Sequence, residues 1–154
     1  MKIYLASNFG SQSRLRLTRD VLESQGHAVV STWLDEEGSQ SYELHPDRGP
    51  GYSLRDLGEV NQCELLIIDT MEESCTGGRE VEYGIALANG IRLWRVGPAR
   101  NIFHTIAGRA FSSWNEAYGA LRFNGTGGSD SGVCEDAVVG DERWWEEEGE
   151  GGEA

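Results

Sequence analysis

The chain has 154 residues and a formal net charge of −13, a size suited to one ordinary domain with its own core. Residues 124–154 hold ten acids against the single base Arg143 and so carry −9 of that charge, which leaves −4 on residues 1–123. This balance excludes a nucleic-acid partner, whose binding rests on lysines and arginines that neutralise phosphates, and the densest basic stretch runs only from Arg14 to Arg19.

Cys63, Cys75 and Cys134 form no CxxC pair, which speaks against a zinc site of the usual spacing. Their odd count fits a reducing cytosol. The opening Met1 to Ala6 turns polar too soon for a secretory apolar core. No run of 18 apolar residues occurs, so a membrane helix is not expected. The expectation is a cytoplasmic protein with no membrane partner.

Lys2 to Ser7 is short, apolar and β-prone, and it ends in the polar loop Ser7-Asn8-Phe9-Gly10-Ser11. Leu15, Leu17, Val21 and Leu22 then recur among charged residues, a helical pattern that Gly26 stops. His27 to Trp33 is a β-rich run, which makes the opening a β-α-β unit. Residues 35–52 are polar and turn-rich, and loops of that length are often functional. Ser53 is placed to cap a helix through Leu54, Leu57, Val60 and Asn61. Glu64 to Asp69 is the clearest strand, apolar throughout its middle as a central parallel strand covered on both faces is.

A loop over Thr70 to Gly78 leads to a helix over Arg79 to Asn89, closed by Gly90. Ile91 to Val96 reads as another strand, ended by Gly97-Pro98. Asn101 to Phe103 reads as one more short strand, and the last helix covers Ala107 or Ser112 to Leu121. Residues 124–154, with eight glycines and the ten acids, read as a disordered extension, since they bury too little apolar surface to offset ordering entropy. Only Trp144-Trp145 offers that segment something to dock.

Alternating strands and helices predict an α/β, flavodoxin-like three-layer sandwich around a mostly parallel five-stranded sheet over residues 1–123. Ligands in such sheets sit beyond the carboxyl ends of the strands. That rule gathers Ser7, Phe9, Trp33, Asp69 and Gly78 at one rim.

The strongest local signal is Thr76-Gly77-Gly78-Arg79-Glu80-Val81-Glu82-Tyr83-Gly84-Ile85-Ala86. Two glycines allow a sharp turn into a helix. Glu80 and Glu82 fall in its first turns, where the macrodipole favours a carboxylate. Such a carboxylate suits attack on an anomeric carbon. Acids are also common there merely for dipole and solvent. A retaining glycosidic cleavage calls for a second carboxyl; Asp56, Asp69, Glu72 and Glu73 are the candidates. Phe9 and Trp33 suit stacking on a flat base, or equally core packing. His27, His45 and His104 make no metal-ligand spacing.

The chain resembles the nucleoside 2-deoxyribosyltransferase family in three stretches. These are Ile3-Tyr4-Leu5-Ala6-Ser7, Asp56-Leu57 through Cys63 to Asp69, and Gly78-x-x-x-Glu82-x-Gly84-x-Ala86-x-Ala88-x-Gly90. Val96-Gly97-Pro98 with Asn101 to His104 adds to the likeness, which spans about residues 2–120. The resemblance implies double displacement at C1′ of a 2′-deoxynucleoside with Glu82 as nucleophile. It implies Tyr4 bonded to Glu82, and Asp56 contacting the base or moving its proton. It implies no metal or cofactor, a small-molecule nucleoside or nucleotide substrate, and a homo-oligomer whose neighbouring subunit completes each site. The chain departs from the family pattern in two respects: Arg79 replaces a small residue, and Ser74, Cys75 and Thr76 stand where a further acid is expected.

Two rival readings follow. One is hydrolysis of nucleoside 5′-monophosphates by the same glutamate, with Ser7, Ser11, Ser13 and Arg79 as phosphate donors. The other is a non-catalytic nucleotide-sensing module, since flavodoxin-like sheets host many functions.

Overall fold

A computed structural model describes residues 1–36, 47–73 and 76–124. Its five strands are β1 (Lys2–Ala6), β2 (Ala28–Val29), β3 (Leu65–Asp69), β4 (Arg92–Val96) and β5 (Arg109–Phe111). They form one sheet in the order β2-β1-β3-β4-β5 with every pair parallel. This is the flavodoxin-like order with its switch point between β1 and β3. Four helices connect or follow the strands: α1 (Gln12–Ser24), α2 (Gly49–Gln62), α3 (Gly78–Ala88) and α4 (Trp114–Asn124).

The core forms because β1 and β3 are apolar on both faces. Every residue of β3 is buried, as are Ile3 to Ala6 of β1. Helix α1 presents Leu15, Thr18 and Leu22 inward, and α4 presents Ala117 and Leu121. These two helices pack together, with the Tyr118 hydroxyl donating to Thr18 Oγ1 at 3.0 Å. Helices α2 and α3 form a second pair and both pack on β1, so the residues they turn toward β1 meet at one place.

Four expectations are corrected. The β-rich run His27 to Trp33 yields only two strand residues. After the Val30 N–H donates to the Ile3 carbonyl at 2.9 Å, side chains take over the ladder: Ser31 Oγ accepts from the Leu5 N–H at 2.6 Å, and Trp33 Nε1 donates to the Leu5 carbonyl at 2.9 Å. With Leu5 satisfied this way, the chain leaves the sheet for a 3-10 turn over Thr32–Asp35. Helix α2 starts at Gly49, with Pro50 in its first turn, so Ser53 is not its cap and donates to the Gly49 carbonyl inside the helix. Residues 49–52 of the expected loop are thus helical, while 37–46 lie outside the described residues.

The other two corrections fall near the C-terminus. Asn101 to Phe103 is no strand: the Asn101 side chain accepts from the Phe103 and His104 N–H groups and caps a 3-10 turn over Ile102–Ile106. Strand β5 follows it, so of the two expected starts of the last helix Ala107 is excluded and Ser112 falls two residues before the observed start at Trp114. The expectations about residues 124–154, Trp144-Trp145 included, lie outside the described residues beyond the end of α4.

The ends of β3 and β4 are held together at Gly97, whose φ is +108°. A Cβ there would stand 2.7 Å from the Met71 nitrogen and 2.9 Å from the Thr70 carbonyl carbon. Thr70 Oγ1 donates to the Pro98 carbonyl at 2.7 Å across the same turn. Gly97→Ala combines a disfavoured φ with a backbone clash. Chemical denaturation is expected to show a loss of at least about 2 kcal/mol; an unchanged midpoint would mean the turn relaxes freely.

Candidate active site

Tyr4 sits in the middle of β1 and is fully buried. Its hydroxyl donates to Glu82 Oε1 at 2.7 Å. The bond joins the sheet to the second turn of α3, and the positive φ of Gly77 (+75°) starts that helix at the required angle. Burial and the neighbouring carboxylates Glu82, Asp56 and Glu59 push the phenol far above its ordinary range, so it remains a donor.

Glu82 keeps some solvent exposure, yet burial of its carboxyl is the dominant influence and pushes it up to about 8. The hydrogen bond from Tyr4 pulls the other way, while the charges on Asp56 and Glu59 add to the rise. Two residues earlier, Glu80 goes in the opposite direction. Burial opposes its ionisation too, but hydrogen bonds from Arg79 and His104 outweigh this and hold it below the usual carboxylate range. Arg79 Nε lies 2.8 Å from Glu80 Oε1, and His104 Nε2 lies 2.6 Å from Glu80 Oε2. His104 Nδ1 accepts from the Arg100 N–H at 3.2 Å, which leaves the Nε2 proton for Glu80. Glu80 is therefore an ionised structural anchor. Glu82 goes the other way, toward its protonated form, because desolvation exceeds the helix-dipole effect expected from its position.

Asp56 faces this pair from α2. Burial pushes its carboxyl up, Arg55 pulls it down, and Glu36 and Glu59 push it up again. Arg55 donates to Asp56 Oδ1 from Nη2 at 2.7 Å and from Nε at 3.2 Å. The same guanidinium pairs with Glu36 and lies 3.8 Å from Glu59 Oε1. Glu59 in turn accepts from the Thr32 N–H at 3.0 Å and from the Thr32 hydroxyl. The site is thus acidic, with one arginine among Glu36, Asp56, Glu59 and Glu82.

The other expected residues are placed differently. Asp69 is 1% exposed. Its Oδ2 accepts from Arg14 Nη1 at 2.6 Å and Trp114 Nε1 at 2.8 Å, and its Oδ1 accepts from the Met71 N–H at 3.0 Å. It ties α1, β3 and α4 together. Arg79 is buried, with Nη1 donating to the Asp69 and Glu72 carbonyls at 3.1 and 2.9 Å. Trp33 is buried and packs against Phe9 with ring centroids 6.3 Å apart. Ser7 follows β1, and its buried hydroxyl has no hydrogen-bond partner among the described residues. Gly78 begins α3 with open space where a Cβ would be, so the turn needs glycine at Gly77 and not at Gly78. Gly84 likewise faces open space and brings α3 no closer to the sheet.

Tyr4, Glu82 and Asp56 are therefore brought together. Arg55, Glu59 and Glu36 are site neighbours that the sequence reading missed. A signal for two of them was present: Tyr52, Arg55, Asp56 and Glu59 fall at i, i+3, i+4 and i+7, one face of α2. Among the described residues no group of three or more His, Cys, Asp or Glu could hold a metal ion.

No protein-family model matches the chain, and no curated protein does. Solved structures do. A 2-deoxyribosyltransferase from the psychrotolerant bacterium Bacillus psychrosaccharolyticus superposes with a TM-score of 0.62 at 19% identity, over 79% of this chain and 96% of its own. A conserved protein from Enterococcus faecalis V583 gives 0.56 at 18%, over 80% and 98%. A CMP N-glycosidase from Clostridium botulinum gives 0.54 at 17%, over 79% and 98%. The chain therefore has the parallel α/β fold of a 2-deoxyribosyltransferase and a CMP N-glycosidase, the fold class that its alternating strands and helices predict.

Proposed function

We propose that the chain is a nucleoside 2-deoxyribosyltransferase that exchanges the base of 2′-deoxynucleosides through a covalent deoxyribosyl-Glu82 intermediate. The observation that carries this reading is the buried Tyr4–Glu82 pair beside Asp56. A neutral resting Glu82 balances the reaction. Its oxygen forms a bond to C1′, the C1′–N bond breaks, and the electron pair goes to the base nitrogen. The proton that Glu82 gives up reaches the leaving base through Asp56. A second base then attacks C1′, breaks the ester bond and returns its proton by the same route. Two displacements give net retention. The Tyr4 hydroxyl supports the carboxylate that develops as the proton leaves and again as the ester breaks.

Two of the groups named as phosphate donors are engaged within the chain, which favours an unphosphorylated substrate. Arg79 is committed to the backbone and Glu80, and the Ser11 hydroxyl donates to Glu72 Oε2 at 3.3 Å. In this reading Phe9 and Ser7 line the rim that the sugar and base reach, next to Gly78. Trp33 and Asp69 shape that rim from behind, and no metal or cofactor takes part.

Deoxyinosine incubated with free adenine is expected to yield deoxyadenosine and hypoxanthine by chromatography, and Glu82→Ala to abolish both. Free base and sugar phosphate, formed from deoxynucleoside monophosphates alone, would make the protein a hydrolase instead. Ligand binding without turnover would leave a sensing module.

The reactive form carries one proton on the Glu82–Asp56 pair, so kcat/KM is expected to fall on the alkaline side near pH 8, where Glu82 loses that proton. A rate that stays level to pH 10 would show that the leaving base takes its proton elsewhere. Tyr4→Phe removes a hydrogen bond to a charged group. It is expected to lower kcat/KM by about 10- to 100-fold and to move the alkaline limb upward, since that bond favours the ionised carboxyl.

The chain also exposes Leu54, Val81, Ile102, Phe103 and Ile106, apolar surface that a homo-oligomer covers. Sedimentation at micromolar concentration is expected to show a dimer or larger species; a monomer with full activity would place the whole site in one subunit.

A further inference from the structure

Among the described residues the guanidinium of Arg55 is the cation that pairs with the site's acids, and nothing in the double displacement requires it. Its side chain is 33% exposed, whereas those of Glu36, Asp56 and Glu59 are 10%, 18% and 14% exposed. The carboxylates are thus more withdrawn from water than the cation that serves them. Burying three acids together is unfavourable unless a cation and hydrogen bonds offset their repulsion. Arg55 reaches all three: Asp56 through Nη2 and Nε, Glu36 through Nη2, and Glu59 through Nε at longer range. The Tyr52 ring lies 5.3 Å from the guanidinium carbon and braces it from the preceding helical turn.

We propose that Arg55 is a positioning residue for the reaction: its guanidinium gathers Glu36, Asp56 and Glu59 into one ion cluster, and so fixes both the place of Asp56 and the protonation of the carboxyl pair it forms with Glu82. This rests on the transferase reading for its role in turnover, but the effect on the carboxyls stands apart from it. Among the described residues, the groups that face Asp56 and Glu82 are Arg55 and Glu59 from α2, Glu36 from the end of the 3-10 turn, and Tyr4 from β1. Only Arg55 among them favours the ionised form by charge. Without it, the first proton to leave the pair is held to higher pH. The singly protonated state then occupies a higher pH window. Glu36 acts in the opposite sense, because its charge raises Asp56 and it draws Arg55 toward itself.

The test compares Arg55→Gln, Arg55→Lys and Glu36→Gln in the full chain. Two readouts are used: the pH profile of kcat/KM for base exchange, and carbon-13 NMR titration of the side-chain carboxyls. Arg55→Gln is expected to move the acid limb and the Asp56 titration upward by about one pH unit or more, the scale of losing an adjacent opposite charge. Arg55→Lys is expected to restore most of that shift, and Glu36→Gln to move both downward. A merely structural arginine would lower the height of the profile and leave its limbs in place, and that result would overturn the proposal. If Arg55→Gln does not fold, Glu36→Gln and Arg55→Lys still decide it, since unmoved limbs in Glu36→Gln contradict the cluster. If the wild type exchanges no base, the transferase reading fails while the NMR titration still tests Arg55.

Discussion

A carboxyl group withdrawn from water beside two other carboxyls holds its proton to unusually high pH. That constraint organises the site. Glu82 is driven up to about 8 by burial, with Asp56 and Glu59 adding to the effect. The fold imposes it by packing α2 and α3 as a pair against β1, so that one acid from each helix faces the phenol of Tyr4 between them. Sheet, helix pair and protonation state are consequences of one another. Without β1 buried on both faces, Tyr4 would be solvated and Glu82 would behave as an ordinary surface acid.

Two glutamates in one helical turn acquire opposite characters for reasons that lie outside the helix. Glu80 meets Arg79 and His104 and is held ionised, while Glu82 meets a neutral phenol and two acids and is not. Environments that push neighbouring titratable groups apart are how one backbone supports two roles. Glu80 fastens the 3-10 turn over Ile102–Ile106 to the start of α3 through His104 and Asn101. This anchors the helix that carries Glu82.

Much of this was legible in the sequence, for identifiable reasons. The all-apolar run Leu65 to Ile68 reads as a central strand, and the glycine pair before Glu80 reads as a turn into a helix. The Tyr4–Glu82 bond was implied by the resemblance, not by spacing, since 78 residues separate the partners. What escaped was set by tertiary contacts. The run after His27 is β-prone, but Ser31 and Trp33 spend their side chains on Leu5 and end the strand. Asn101 looked like the start of a strand because its capping bonds run through its side chain. Arg55 and Glu59 lay on a readable face of α2, yet helical charges usually face solvent. Only packing against α3 turns that face into part of a site. Asp69 stood at a strand end as expected, but its partners Arg14 and Trp114 come from helices far away in sequence, so its commitment to structure could not be foreseen.

The two-residue β2 has a consequence at the border of the sheet. Among the described residues it is an edge strand, as is the three-residue β5 at the other side. Beyond Val30 the row of amide groups on β1 is closed by a serine hydroxyl and an indole instead of by more backbone. Side-chain atoms offer no continuing ladder to a visiting strand. Both borders are thus too brief to template the growth of a sheet across molecules, the route by which long bare edges aggregate. A parallel sheet built from such apolar strands stays free of that hazard because its most hydrophobic members, β1 and β3, are the ones kept inside.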